Sequence, residues 1–224
     1  MPLTIRDMKT EDIADAVAVV QKAFENDPYN RWVFDDRERF SLPRNRVSLG
    51  LRCRWGMRHA LFQVAHEKER LVGVAMWLPP HLSTPSPSWS SWIAGQYALW
   101  DLWVRQGVAN IFHGRSTLNI RRYYLWKEGQ AKAQSELWKD PRGYYFCNII
   151  TVVPDSQGCG IGKALMEKVL EKADSEGRSA YLESSSFDPN VKIYEKMGFE
   201  LKREMPLSDK GVDITLYCMI RPPK

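Results

Sequence analysis

The chain has 224 residues, 44% hydrophobic and 26% charged, with a formal net charge of +5 at pH 7. That length and balance describe one α/β domain with room for an insertion, and exclude a disordered chain or a small disulfide scaffold. The positive excess is small and scattered, with "RCR" at 52–54 and "RR" at 121–122 as short runs, so no nucleic-acid partner is expected.

Residues 3–8, LTIRDM, alternate as a short strand. TEDIADAVAVVQKAF (10–24) then reads as a helix, with Thr10 as N-cap and Ile13, Ala16, Val17, Val20 and Phe24 on one face. Pro28 breaks that helix in the aromatic segment ENDPYNRWVF, and a second helix is expected over about 40–57. HALFQVAHE and RLVGVAMWLPP follow as two strands joined by a charged turn at 67–70. Residues 80–142 change texture: a Pro/Ser-rich connection precedes two helical runs, and the whole stretch holds six of the nine tryptophans. The plainer expectation is a helical insertion packing its own small core; the sharper one is that some of these aromatics line a pocket. From 143 the order is strand (144–153), glycine loop, helix to about 175, strand (179–185), a short helix and a final antiparallel pair.

Cys53, Cys147, Cys159 and Cys218 have neither metal-binding nor redox spacing, and no metal is expected. No stretch reaches 18 apolar residues and MPLTIRDMKTED has no apolar leader pattern, so no membrane partner and a cytoplasmic location are expected.

The chemistry centres on QGCGIG (157–162). A Walker A loop is disfavoured because Ala164 stands where a magnesium-binding hydroxyl is required. A dinucleotide fold is disfavoured by GxGxG spacing and by four residues between strand and first glycine. A glycine turn without a ligand remains open. So does a diphosphate on successive amides at a helix N-terminus, which requires free N–H groups, helix polarity and little side-chain bulk.

VVPDSQGCGIGKAL resembles the coenzyme A-binding signature V-x-P-x-x-Q/R-x-x-G-x-G/A of the GCN5-related N-acetyltransferases (GNAT), through Val152, Pro154, Gln157, Gly160 and Gly162. SSFDPNVKIYEKMGF, RLVGVAMW and the opening strand and helix resemble further parts of that family, together covering most of 1–79 and 143–221. The resemblance implies a single α/β (α+β) domain over 1–224. Its mixed central sheet would have about seven strands flanked by helices, with a helical aromatic-rich insertion at about 80–142.

It also implies an acetyl-CoA-dependent N-acetyltransferase that transfers acetyl directly to the amine of a small, partly apolar acceptor in a ternary complex. Peptide or protein N-acetylation, and a non-catalytic coenzyme A-binding protein, are the alternatives; a monomer or homodimer fits either. The pantetheine arm would lie between 148–153 and 180–185, walled and paired by Ile150, Val152 and Val153, whose side chains also suit a β-core. The diphosphate would take amides from Gln157, Gly158, Cys159, Gly160, Ile161, Gly162 and Lys163. Cys159 departs from the basic residue that relatives often carry.

Tyr194 is the implied general acid, and Asn190 would bridge to pantetheine, hold the local turn or cap a helix. For the base, Glu183 leads, with Asp27, Glu25 or water on strand carbonyls near Cys147 and Asn148 as alternatives. Phe24, Tyr29, Trp32, Trp77, Tyr144 and Tyr145 are expected to form an apolar acceptor wall.

Overall fold

A computed structural model describes residues 3–80, 89–114 and 117–224; for 89–96, 98 and 99 it gives the helix alone. The Pro/Ser-rich connection expected after Pro80 falls largely outside the described residues, as do the side chains of Trp89 and Trp92.

Seven strands form one mixed sheet, in the order β1-β2-β3-β4-β5-β7-β6. They are β1 Leu3–Asp7, β2 Leu61–Glu67, β3 Arg70–Leu78, β4 Tyr145–Val152, β5 Ala180–Ser184, β6 Glu200–Asp209 and β7 Val212–Arg221. Every neighbouring pair is antiparallel except β4–β5. The flanking helices are α1 Ile13–Ala23, α2 Pro28–Val33, α3 Leu42–His59, α4 Trp89–His113, α5 Ile120–Leu137, α6 Ile161–Ser175 and α7 Asn190–Glu195. The expected mixed sheet with flanking helices and an aromatic-rich helical region is therefore present.

Two local expectations change. Lys9 takes the N-cap place expected of Thr10: its N–H donates to Asp12 Oδ2 at 2.7 Å, Thr10 opens a 3-10 turn, and α1 begins only at Ile13, with buried Asp12 also held by both terminal nitrogens of Arg6. Pro28 does more than end a helix. It occupies the first turn of α2, where its missing N–H costs nothing, and the Asp27 carboxylate caps that helix through Asn30 N at 2.8 Å.

The core has two parts. In one, Val17 and Val20 of α1, Val74 and Met76 of β3, and Leu165 and Val169 of α6 are buried together. The i, i+4 spacing on α6 supplies that helix's apolar face. In the other, Trp32, Ala133, Tyr181, Met205, Leu207 and Leu216 bring α2 and α5 onto β5, β6 and β7.

The expected self-contained core of the insertion is thus corrected. At Gly129 of α5 an added Cβ would lie 2.8 Å from Leu207 Cδ2 and 3.1 Å from Met205 Sδ, so this helix packs directly on β6. Buried Arg122 fastens it further, donating to Asp209 Oδ2 at 3.1 Å and to the Trp32 carbonyl at 2.8 Å. α4 instead lies on α3, tied by Gln106 Nε2 to the Ser48 carbonyl at 3.0 Å. Its Trp100 and Trp103 are exposed and line no interior pocket.

Candidate active site

The single parallel pair of the sheet is short. β4 meets β5 only at Tyr145–Ala180, Phe146–Tyr181 and Cys147–Leu182, although β4 runs on to Val152. At the same point its register on β3 shifts between Met76 and Trp77, leaving Asn148 as the extra residue of a bulge. Bulges bend the strand that carries them, which gives the splay a local cause. The gap is therefore bordered by 148–152 and by 183 onward; residues 180–182, expected along it, are paired.

Val153 N donates to the Val72 carbonyl at 2.8 Å, so Val153 and Val72 form a hydrogen-bonded antiparallel pair. Such pairs alternate along a ladder, which turns Thr151 and Ile149 toward β3 and the backbone groups of Ile150 and Val152 toward the gap. The Val152 carbonyl accepts from Gln157 Nε2 at 3.0 Å, fastening the loop to the strand.

Gly158 and Gly160 have φ of 80° and 79°, the left-handed region where only glycine is unstrained, and Gly160 is the N-cap of α6. A Cβ at either would meet nothing within 4 Å, so the loop borders open space. The first N–H groups of a helix have no intrahelical partner. Among the described residues no turn, loop or cap hydrogen bond uses the N–H groups of residues 158–163. Strand, loop and helix together present a bare backbone concavity suited to an anion.

Tyr194 stands on α7, half-buried against the first core, its ring 6.1 Å from that of Phe199. Among the described residues its hydroxyl makes no hydrogen bond. Burial, together with nearby Cys147 and Asp27, raises its pKa above the ordinary phenol range, so it stays protonated. Asp27 is the next group in: its Oδ2 accepts from Ser185 Oγ, and burial raises its carboxyl above the usual range. Beyond Ser185 an open groove of about 380 Å³ runs past Pro28, Phe187, Asp213 and Tyr217.

Glu183 is the first β5 residue past the last β4 pair. Its carboxylate accepts from Gln130 Nε2 and from Tyr181 Oη, each at 2.8 Å. Burial raises its pKa, against the lowering exerted by Gln130, Tyr181 and Lys127. A carboxylate poised in this way takes up a proton more readily than one in water.

A family profile described as the acetyltransferase (GNAT) domain matches residues 120–201, the stretch from α5 through the glycine loop to the start of β6. That stretch, less than half of the chain, resembles the acetyltransferase (GNAT) domain. Solved structures share this GNAT fold. One is a histone acetyltransferase HPA2 and related acetyltransferase from Corynebacterium glutamicum, 19% identical, with 100% of this chain and 98% of that one covered at a TM-score of 0.59. Another is an N-acetyltransferase from Staphylococcus aureus, 15% identical, with both chains covered completely at 0.57. A third is a PaiA N-acetyltransferase from Thermoplasma acidophilum in complex with coenzyme A, 12% identical, with 99% of each covered at 0.50. At these identities the likeness is one of fold.

On this GNAT scaffold the residues singled out from sequence separate clearly. Tyr194 lies near Cys147, at the end of the paired stretch; Glu183, Ile150 and Val152 border the gap, and Gln157 through Lys163 form the loop beside it. Val153 is 3% exposed with its N–H spent on β3, so it is core and cannot pair with a ligand. Asn190 caps nothing; its amide donates to Ser184 Oγ at 3.3 Å, which holds the turn between β5 and α7. Glu25 is exposed.

Of the expected aromatic wall, Tyr29 lies near Arg52 and Glu183 at the gap, and half-buried Phe24 packs on the first core. The other four are structural. Trp32 is buried with its indole N–H on the Val212 carbonyl at 3.1 Å, and Trp77 is fully enclosed. Tyr144 stacks on Trp138, and the Tyr145 hydroxyl reaches Glu176 at 2.7 Å.

The unforeseen members of the site come from α3 and α5. Arg52 Nη2 donates to Asn148 Oδ1 at 2.7 Å, and Tyr123, Trp126, Lys127 and Gln130 gather around Tyr29 and Glu183. Their i, i+3, i+4, i+7 spacing marks one helix face, the signal by which they are legible.

Proposed function

We propose that this protein is an acetyl-CoA-dependent N-acetyltransferase that acetylates a small, partly apolar amine by direct transfer. The observation that carries the reading is the conjunction of the β4–β5 splay, the bare amide loop and an unpartnered tyrosine hydroxyl at the end of the gap. The residues present fit coenzyme A: Ile150 and Val152 offer backbone groups for the pantetheine arm, and residues 157–163 offer amides for the diphosphate. Acetyl-CoA supplies an acyl group on a thiol leaving group.

The protein's part is positioning and proton movement. Tyr194 Oη holds a proton that a departing thiolate needs, and its elevated pKa keeps that proton in place until then. Glu183 accepts the proton an ammonium must lose, directly or through one water. The groove past Pro28 and Phe187 gives the acceptor an approach that ends at the Asp27–Ser185 pair.

A pH series of acetyl transfer tests this division of labour. Because the Glu183 pKa is raised, its base function is present above that raised value and lost as pH falls through it, earlier than for a free carboxylate. Free-thiol release measured from pH 5 to pH 9 shows this acid-side loss in the wild type, and Glu183→Gln removes it while lowering the plateau. An identical acid limb in both proteins would assign the base elsewhere.

A further inference from the structure

The mouth of the splay holds two cations, Arg52 and Lys127, neither of which is within ion-pair distance of a carboxylate among the described residues. Asn148 and Glu183 are the first residues of β4 and β5 beyond their last mutual pair, and so form opposite rims of the gap. Asn148 Oδ1 accepts from Arg52 of α3 at 2.7 Å. Glu183 accepts from Gln130, whose Oε1 in turn accepts from Lys127 Nζ of α5 at 3.1 Å. One rim is thus linked to an arginine and the other to a lysine.

Desolvation first, and then the nearby Arg52 charge, push Lys127 below its ordinary pKa, against the opposing pull of Glu183. Neither forms an ion pair among the described residues. Glu183 is already engaged by Gln130 and Tyr181, and Asp27 by Ser185 and Asn30. The Lys127 ammonium sits over Trp126, 4.8 Å from the ring centroid, and Tyr29 lies 5.0 Å from the same ring. An anion entering here would relieve the repulsion and meet an arginine fork with nitrogens to spare. With Glu183 ionised, two cations and one anion leave a single positive charge, which a carboxylate neutralises.

We propose that Arg52 and Lys127 bind a carboxylate of the acceptor, so that the substrate class is an amine that also carries a carboxylate, its apolar body lying on Tyr29 and Trp126. This rests on the acetyl-transfer reading for the identity of the ligand as acceptor, but its test does not depend on turnover. N-acetylphenylalanine and N-acetylphenylalaninamide differ only in the charged group, and neither presents a free amine for acetylation. In titration calorimetry the acid binds at least about tenfold more tightly than the amide. That preference collapses toward unity in both Arg52→Gln and Lys127→Gln, each confirmed folded by circular dichroism. Equal affinity for the two compounds, absence of binding by the acid, or a preference that survives both substitutions overturns the assignment. Thiol release with phenylalanine and other amines is followed separately, so failure of transfer and failure of carboxylate recognition are read apart.

Discussion

Tyr194→Phe is expected to lower the rate of acetyl transfer by about 10²–10³-fold, the usual scale for removing a positioned acid. Coenzyme A affinity should stay within about threefold, because a phenol that donates only to a departing thiolate contributes little to ground-state binding. The substitution removes one oxygen and keeps the ring that packs against Phe199 and the first core, so the fold is undisturbed. No hydrogen bond to another described group is lost with that oxygen. The measurement is a single-turnover rate at saturating acetyl-CoA beside an equilibrium binding constant for coenzyme A. An unchanged rate with weakened binding would make Tyr194 a binding residue and remove it from the proton path.

The second large effect is expected at Gly160. Gly160→Val places a β-branched residue at φ 79°, a conformation that costs an ordinary residue about 1–2 kcal/mol. The loop relieves this by turning away from the left-handed region, and the amides of residues 158–163 no longer converge. The new side chain also projects into the open space beside the loop. Coenzyme A affinity should fall by about tenfold or more, whereas Cys159→Ala should leave it within about twofold. The comparison isolates backbone from side chain, since Cys159 is exposed and its Sγ makes only a 3.8 Å contact with the Gln157 carbonyl. Equal losses from both substitutions would show that the loop binds through the cysteine.

The glycine loop is legible in the sequence because its information is local. A strand, a Pro–Gln spacing, closely set glycines and an apolar-faced helix follow one another within about twenty residues, so the order of strand, loop and helix is read directly from the sequence. Tyr194 is singled out only by the family resemblance of its segment, where it follows Asn190 by four residues and precedes Gly198–Phe199. The extent of the gap was less accessible: three residues of β5 expected along it are paired, since a bulge at Asn148 decides where the strands part.

The aromatic wall shows a different limit. Residue type alone does not tell a cleft lining from a core, and Trp77 on a strand covered on both faces, or Tyr145 with its hydroxyl on Glu176, is consumed by packing. The α5 side chains of the candidate site are hidden for a related reason. Its Tyr123, Trp126, Lys127 and Gln130 share a face, but that this face turns to β5 follows from Gly129 seating the helix on β6, a long-range contact. Arg52 of α3 reaches Asn148 across ninety-six residues of sequence, and nothing in its own neighbourhood announces that.

The most direct test of the central claim follows the acetyl group itself. The protein is mixed with acetyl-CoA alone, then with acetyl-CoA and an amine panel, and intact-protein mass, free thiol and acetylated product are measured in the same samples. Direct transfer at the splay predicts no acetyl on the protein without acceptor, and one thiol released for each amine acetylated once acceptor is present. Accumulation of an acetylated protein that then passes its acetyl to the amine, or tight coenzyme A binding with no product from any amine, would contradict it.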